Sequence, residues 1–147
     1  MLAGLLRGTV VFVGVGNTLK GDDGAGPCIA KKTGGIDAGT APENFISKIT
    51  RSRPKTVVIF DALDFGGKPG EAIVVDAMKT DGILLSTHAI PLSRFASMLK
   101  PAKVWLVGIQ PKSISFGEDM SDEVLKSADR IADEIAEWKE KTGSDGE

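Results

Sequence analysis

The sequence has a single cysteine, a nearly balanced charge and no long apolar run. One cysteine, Cys28, cannot form an intramolecular disulfide, and it excludes cysteine-rich zinc and iron–sulfur sites. The net charge is −2 and no basic cluster is longer than Lys31–Lys32, so the basic stripe typical of nucleic-acid-binding domains is missing. No window approaches the roughly 18 apolar residues that a membrane-spanning helix needs. These absences predict a protein that binds neither nucleic acid nor membrane.

The length and the ends of the chain predict one domain in the cytoplasm. A chain of 147 residues favours a single domain over residues 1–147, with a disordered tail at 142–147. Such a chain buries roughly 68–70% of its unfolded surface, so it folds without a disulfide or a structural metal. The apolar N-terminal segment is short and has neither a basic region nor a small-residue cleavage site, which predicts a cytoplasmic location.

Apolar runs alternate with helical patterns along the chain. Strands are predicted at about residues 9–15, 56–60, 71–76 and 103–109, and helices at about 25–32, 41–51, 91–100 and 121–141. This order predicts an α/β fold, a three-layer αβα sandwich around a mostly parallel, twisted sheet of about four to five strands. The connection before the 71–76 strand is shorter than a βαβ crossover, so that strand is predicted to be antiparallel or at the sheet edge. The segment Ile36–Thr40 is too short and glycine-rich to predict a good strand.

The most informative segment is the glycine-rich run at residues 14–26, which directly follows the first apolar strand. In an open α/β sheet, ligands bind at the carboxyl ends of strands, and glycine allows close backbone approach. The run matches only part of the dinucleotide-binding pattern, because Leu19 occupies the third glycine position. Asp22 and Asp23 would also repel a pyrophosphate at this turn. A small nucleotide-binding domain therefore remains only as an alternative.

The second interpretation of this run is a cation site. Parallel strands bring their carboxyl ends to one edge, so we expect Asp23 and Asp61 side by side, with the His88 loop returning to the same edge. Two carboxylates and one imidazole suit Zn²⁺ or Ni²⁺ with an open coordination position. Each residue also has an ordinary reading as a helix cap, a turn acid or a loop residue. Asp22 is interpreted as a local turn or cap residue, and Cys28 as a small buried hydrophobic residue instead of a nucleophile.

Seven short segments between about residues 9 and 111 carry a recognisable pattern: Gly16–Pro27, Ala41–Asn44, Asp61–Asp64, Pro69–Glu71, Ser86–His88, Pro91–Leu92 and Gly108–Pro111. With these segments in this order, the chain resembles the hydrogenase maturation endopeptidases, most closely the type that serves the formate-hydrogenlyase hydrogenase. Relatives usually have a longer first helix and a full second strand, whereas here that region is short. We therefore expect the second strand, near residues 35–40, to be reduced or lost.

The resemblance implies an aspartic-type or metal-dependent endopeptidase. Its substrate would be the large-subunit precursor of a [NiFe] hydrogenase, which loses a C-terminal extension after nickel insertion. The resemblance also implies that Asp23, Asp61 and His88 bind metal and that Asp23 and Asp61 are catalytic. Nickel, supplied by the precursor, would be the recognition element, and other divalent ions can substitute.

Two questions about this function stay open in the sequence. The nucleophile is either a water activated by a carboxylate, with Asp23 preferred as the general base, or a metal-bound hydroxide. The chain is expected to act as a monomer on the precursor. A non-catalytic, nickel-sensing chaperone of the same precursor is the alternative.

Overall fold

The computed structural model describes residues 2–85 and 90–143, and its centre is a five-stranded sheet. The strands are β1 (Val10–Val15), β2 (Ile36–Gly39), β3 (Thr56–Ala62), β4 (Ala72–Asp76) and β5 (Lys103–Ile109). The α-helices are α1 (Ala25–Thr33), α2 (Ile46–Thr50), α3 (Leu92–Ser97) and α4 (Asp122–Thr142), with 3₁₀ helices at Ala3–Leu5, Gly21–Gly24 and Pro42–Phe45. The predicted α/β class is confirmed. None of the helices in this part of the chain is both long and apolar enough to span a membrane.

The sheet has the order β2-β1-β3-β5-β4, and its first four strands are parallel. Phe60 of β3 lies opposite Gly14 of β1, and the next residue, Asp61, lies opposite Gly108 of β5. The carboxyl ends of β1, β3 and β5 therefore meet at one edge of the sheet, called the carboxyl edge below. β4 pairs antiparallel with β5 at the outer edge, which confirms the prediction for the 71–76 strand.

The expectation that Ile36–Thr40 forms no good strand is wrong, and of the two outcomes expected for this region, a reduced strand or a lost one, the loss is excluded. Ile36–Gly39 is a short parallel edge strand whose Ile36 lies opposite Val13 of β1. Its residues alternate between buried Ile36 and Ala38 and exposed Asp37, and the Gly16 N–H donates to the Gly39 carbonyl at 2.9 Å. Four residues form a strand here because β1 supplies the hydrogen-bond partners, which the local sequence does not reveal.

The helices form one layer on each side of the sheet. α1 and α4 pack against one face around Phe12, and α2 and α3 pack against the other around Val13. The Phe12 ring lies 6.1 Å from the rings of both Phe60 and Trp138. Alternate residues of a strand reach opposite faces, so a strand covered on both sides needs apolar residues at every position. This explains the unbroken apolar run of β1.

Two predicted helices are shorter than their patterns, and one of them is the 91–100 helix, which is α-helical only over Leu92–Ser97. The 41–51 helix begins as the 3₁₀ turn Pro42–Phe45, and only Ile46–Thr50 is α-helical. The last helix begins and ends where the sequence predicts. Ser121 precedes it and accepts a hydrogen bond from the Val124 N–H at 3.4 Å, and Gly143 follows it with φ 65°. The disordered tail predicted at 142–147 is wrong at Thr142, which is the last residue of α4, and residues 144–147 lie outside the described residues.

Candidate active site

The first turn of α1 lies directly over the ends of two strands. A Cβ atom placed on Gly26 would lie 2.3 Å from the Val15 carbonyl oxygen and 2.4 Å from that of Phe60. Only glycine permits this approach. The 3₁₀ turn Gly21–Gly24, which carries the two adjacent acids, is therefore held at the carboxyl edge between β1 and β3.

Asp23 is buried on this turn, with 3% of its surface exposed. Its Oδ2 accepts a hydrogen bond from the Asn17 N–H at 2.9 Å, and its own N–H donates to the Lys20 carbonyl at 3.0 Å. These two bonds close the loop from Asn17 to Asp23 and fix the direction of the carboxylate. Among residues 2–85 and 90–143, Oδ1 has no hydrogen-bond partner, which leaves one oxygen for a ligand or a proton.

Asp61 is the second last residue of β3 and is 2% exposed. It alternates with Val57 and Ile59, whose side chains pack on the α2 and α3 face, so Asp61 belongs to that face. Burial of a carboxylate is unfavourable unless partners or a metal compensate it. Asp61 directly follows Phe60, and Gly26 of α1 lies against the Phe60 carbonyl oxygen. The structure therefore places Asp23 and Asp61 at the same edge.

The third predicted residue, His88, lies in the stretch 86–89, outside the described residues. The chain on either side of it is fixed: the Leu85 N–H donates to the Ile90 carbonyl and the Leu92 N–H to the Ile83 carbonyl, both at 2.9 Å. Leu85 and Leu92 belong to the apolar cluster on the Asp61 face. Within residues 2–85 and 90–143, no group of three His, Cys, Asp or Glu residues could hold a metal.

Asp22 does not have the local role expected of it. It is 1% exposed, and α1 has no side-chain cap. Its Oδ2 accepts the N–H groups of Lys112 at 2.8 Å and Ser113 at 3.3 Å, and its Oδ1 accepts that of Ser121 at 2.7 Å. Asp22 therefore ties the turn to a distant segment. Sequence reasoning missed this because the partners lie 90 to 99 positions away.

Gln110 is a residue of the site region to which sequence reasoning assigned no role beyond its place in the Gly108–Pro111 segment. It is 7% exposed, and its Oε1 accepts the N–H groups of Phe65 at 2.9 Å and Gly67 at 3.0 Å. Its Nε2 donates to Asp64 Oδ1 at 3.1 Å. This bond, followed by one from the Gly66 N–H, lowers the pKa of Asp64. Gln110 thus holds the loop that follows Asp61, and a polar residue ending an apolar strand was the available signal.

An exposed apolar surface flanks the turn. Leu19 is 67% exposed and Phe116 is 72% exposed. The Gly117 N–H donates to the Leu19 carbonyl at 2.9 Å, and Lys20 Nζ lies 5.5 Å from the centre of the Phe116 ring. We call the two exposed apolar residues, Leu19 and Phe116, the Leu19–Phe116 surface. Exposed apolar side chains beside a site are typical of contacts with another protein.

The arrangement offers two chemical capabilities. Carboxylate oxygens are ligands for divalent cations, and a carboxylate with one unoccupied oxygen can accept a proton from water. Both acids stand at a sheet edge where α/β proteins commonly bind their ligands.

Comparisons with known proteins agree with one another. The family model of the HycI hydrogenase maturation proteases matches residues 30–138. The hydrogenase 3 maturation protease of Escherichia coli is 34% identical over 146 residues, which is 92% of this chain and 94% of that protein. A putative hydrogenase maturation protease of Methanocaldococcus jannaschii is 31% identical, over 87% of this chain and 86% of that protein.

Solved structures show the same likeness. The crystal structure of the [NiFe] hydrogenase maturation protease HycI from Thermococcus kodakarensis has a TM-score of 0.85 and 34% identity, covering 93% of this chain and 97% of that one. The family model and each of these relatives match more than two thirds of this chain. The chain belongs to the hydrogenase maturation protease family and is a peptidase.

Proposed function

We propose that this peptidase removes a C-terminal extension from the large-subunit precursor of a [NiFe] hydrogenase after nickel insertion. The observation that carries the proposal is the burial of Asp23 and Asp61 at one edge of the sheet, in a chain of this family. Two buried acids at a ligand-binding edge favour a reaction or a cation over a purely structural role. We further propose that the chain works in the cytoplasm as a monomer.

Nickel enters this proposal as part of the substrate. Asp23, Asp61 and His88 contact the nickel that the precursor already carries, and this contact places the scissile peptide bond at the edge. Carboxylate oxygen and imidazole nitrogen are both suitable nickel ligands. Two observations support the set: the carboxyl-edge position of both acids, and the attachment of the segment flanking His88 to the Asp61 face.

Asp23 is the general base of the proposed reaction. Its Oδ1 accepts a proton from a water molecule whose oxygen attacks the scissile carbonyl carbon, and the same Oδ1 passes that proton to the departing amine nitrogen as the C–N bond breaks. The Asn17 N–H on Oδ2 holds the carboxylate in one orientation while this happens. Asp61 supplies the second carboxylate, which orients the bound substrate.

The test uses a purified, nickel-loaded precursor and mass measurement of its products. The wild type is expected to release one C-terminal peptide, whereas Asp23→Asn, Asp61→Asn and His88→Ala lose about a hundredfold or more in rate. Asp37→Asn is the matched control, because Asp37 is an exposed acid on edge strand β2. Wild-type rates for all three site variants would refute the assignment.

The cleavage experiment and a thermal-unfolding measurement together separate the alternatives. Binding of the precursor without any change in its mass would favour the nickel-sensing chaperone. Thermal protection by a dinucleotide but not by a divalent ion would favour the nucleotide-binding domain. A nickel-free precursor is expected to remain uncut, and cleavage of it at the wild-type rate would contradict the role of nickel as the recognition element.

A further inference from the structure

The two adjacent acids of the 3₁₀ turn serve different partners. Asp23 faces Asn17 within its own loop, whereas Asp22 faces the segment 112–121 with both oxygens occupied. The Ser121 hydroxyl adds a further bond, 2.9 Å from Asp22 Oδ2. A carboxylate whose oxygens are taken by backbone donors is committed to holding structure together.

The backbone of the turn is fixed to the same segment. The Asp22 N–H donates to the Ser113 carbonyl at 2.9 Å. A Cβ atom on Gly21 would lie 2.7 Å from that same carbonyl oxygen, so the turn and the 112–121 segment are in direct contact. Backbone and side chain of Asp22 therefore both fasten the turn to this segment, immediately before Asp23.

We propose that Asp22 is a positioning residue for peptide cleavage, which acts by holding Asp23 over the carboxyl edge. This inference rests on the proposed function of Asp23. A carboxylate is required because every group that faces it is a donor, and charge-assisted hydrogen bonds are stronger than neutral ones. An asparagine would turn its NH₂ group toward at least one N–H.

The connection reaches beyond the turn. Ser121, which bonds to Asp22, is also the N-cap of α4. The turn is thereby attached to the start of the helix that packs with α1 on the Phe12 face of the sheet. Displacement of a catalytic group by about 1 Å can lower a rate about a hundredfold, so a loosened turn is expected to affect catalysis more than substrate binding.

The test compares Asp22→Asn with a control at the opposite edge of the sheet. We expect Asp22→Asn to lower kcat at least tenfold while KM stays within twofold of the wild-type value. Thr56→Val is the matched control, because Thr56 is 1% exposed and its hydroxyl donates to the Arg7 carbonyl at 2.8 Å, at the start of β3. This control is expected to lose thermal stability but to keep its kcat at temperatures where it is folded.

A second measurement reports on the mechanism without activity. The amide resonance of Asn17, which donates to Asp23, is expected to shift and to exchange faster in Asp22→Asn but not in Thr56→Val. If Asp22→Asn does not fold, Ser121→Ala is expected to lower kcat about threefold and to disturb the same amide, because it removes the hydroxyl donor to Asp22 together with the α4 N-cap bond from Val124. An unchanged kcat and an unchanged Asn17 amide in the folded variant would overturn the inference.

The outcomes distinguish this inference from the proposed function. If Asp23→Asn cleaves like the wild type, the role of Asp23 fails and the inference fails with it. If Asp23→Asn is inactive while Asp22→Asn keeps the wild-type kcat, the proposed function stands and only the positioning role is wrong.

Discussion

Gly16 and Asp23 approach each other so closely that no side chain fits between them. A Cβ atom on Gly16 would lie 1.9 Å from the Asp23 carbonyl oxygen, and Gly16 has φ 151°, which other residues rarely adopt. The end of β1 and the acid-bearing turn are therefore packed backbone to backbone. This contact leads to the first prediction.

Gly16→Ala is expected to destabilise the protein by about 2–4 kcal/mol, because both backbone strain and overpacking act at this position. The measurement is urea unfolding followed by far-ultraviolet circular dichroism. Gly34→Ala is the matched control: Gly34 also has a positive φ, 72°, but open space surrounds its Cβ position. A difference of less than about 0.5 kcal/mol between the variants would contradict the close contact.

Gln110→Leu is expected to release the loop that follows Asp61. The N–H groups of Phe65 and Gly67 lose their acceptor, so their hydrogen exchange accelerates, and leaving them unsatisfied costs about 1–3 kcal/mol. The pKa of Asp64 should rise toward its ordinary value, because the Gln110 bond is the main cause of its lowering. Nuclear magnetic resonance measures both effects. An unchanged Asp64 titration would show that the bond is not formed.

Cys28 is expected to be a poorly reactive thiol. Burial raises its pKa above the ordinary value, and the nearby Lys32 opposes this only in part. Alkylation by iodoacetamide at pH 8 should be slower than that of free cysteine, since the thiolate is the reactive form. Cys28→Ala should retain full cleavage activity. Loss of cleavage in that variant would revive the nucleophilic role that the sequence interpretation set aside.

The ion pair between Asp76 and Lys103 predicts a pH-dependent contribution to stability. The hydrogen bond from Lys103 lowers the pKa of Asp76 below its ordinary value of 3.8. The contribution is therefore present above pH 3.8 and is lost as the pH falls through the lower, folded-state value. Lys103→Met should cost at most about 0.5–1 kcal/mol at pH 7, because Lys103 is partly exposed. The stabilities of Lys103→Met and the wild type should converge as the pH falls below 3.8, and a constant difference would contradict the linkage.

The Leu19–Phe116 surface is expected to contact the precursor, since it flanks the turn that carries Asp23. The double variant Leu19→Ser and Phe116→Ser should raise KM about tenfold with little change in kcat, because large apolar side chains dominate protein interfaces. Met98→Ser is the control: Met98 is 40% exposed but lies between α3 and β5, away from the carboxyl edge. Equal KM values for both variants would remove this surface from substrate binding.

Much of the fold follows from local patterns. The apolar runs at β1, β3 and β5 and the capped pattern of α4 predicted those elements to within about two residues, because burial on both faces leaves an unbroken apolar run. The short connection before β4 also predicted its antiparallel edge position correctly. β2 was missed because four residues acquire a strand conformation only from a neighbouring strand.

The site divides in the same way. Asp23 lies in a glycine-rich run and Asp61 lies at the end of an apolar strand. Both positions can be recognised from neighbouring residues, so the sequence alone indicated them. The role of Asp22 was misjudged, because its carboxylate is satisfied by backbone groups about a hundred residues away. Gln110 was passed over for the same reason, since its partners lie 43 to 46 positions earlier.

The sequence by itself determined the α/β class, the succession of the main strands along the chain and the family resemblance. Periodicity and glycine placement indicate these features because they reflect local burial and local backbone requirements. Only the tertiary structure decided which residue each buried polar group bonds to and which strand ends share an edge. Hydrogen-bond partners are chosen by proximity in the folded chain, and no spacing between neighbours encodes that choice. For that reason Asp22 and Asp23 are two adjacent, similar acids in the sequence but have different partners in the fold. Asp22 is bonded to the 112–121 segment, and Asp23 lies at the carboxyl edge.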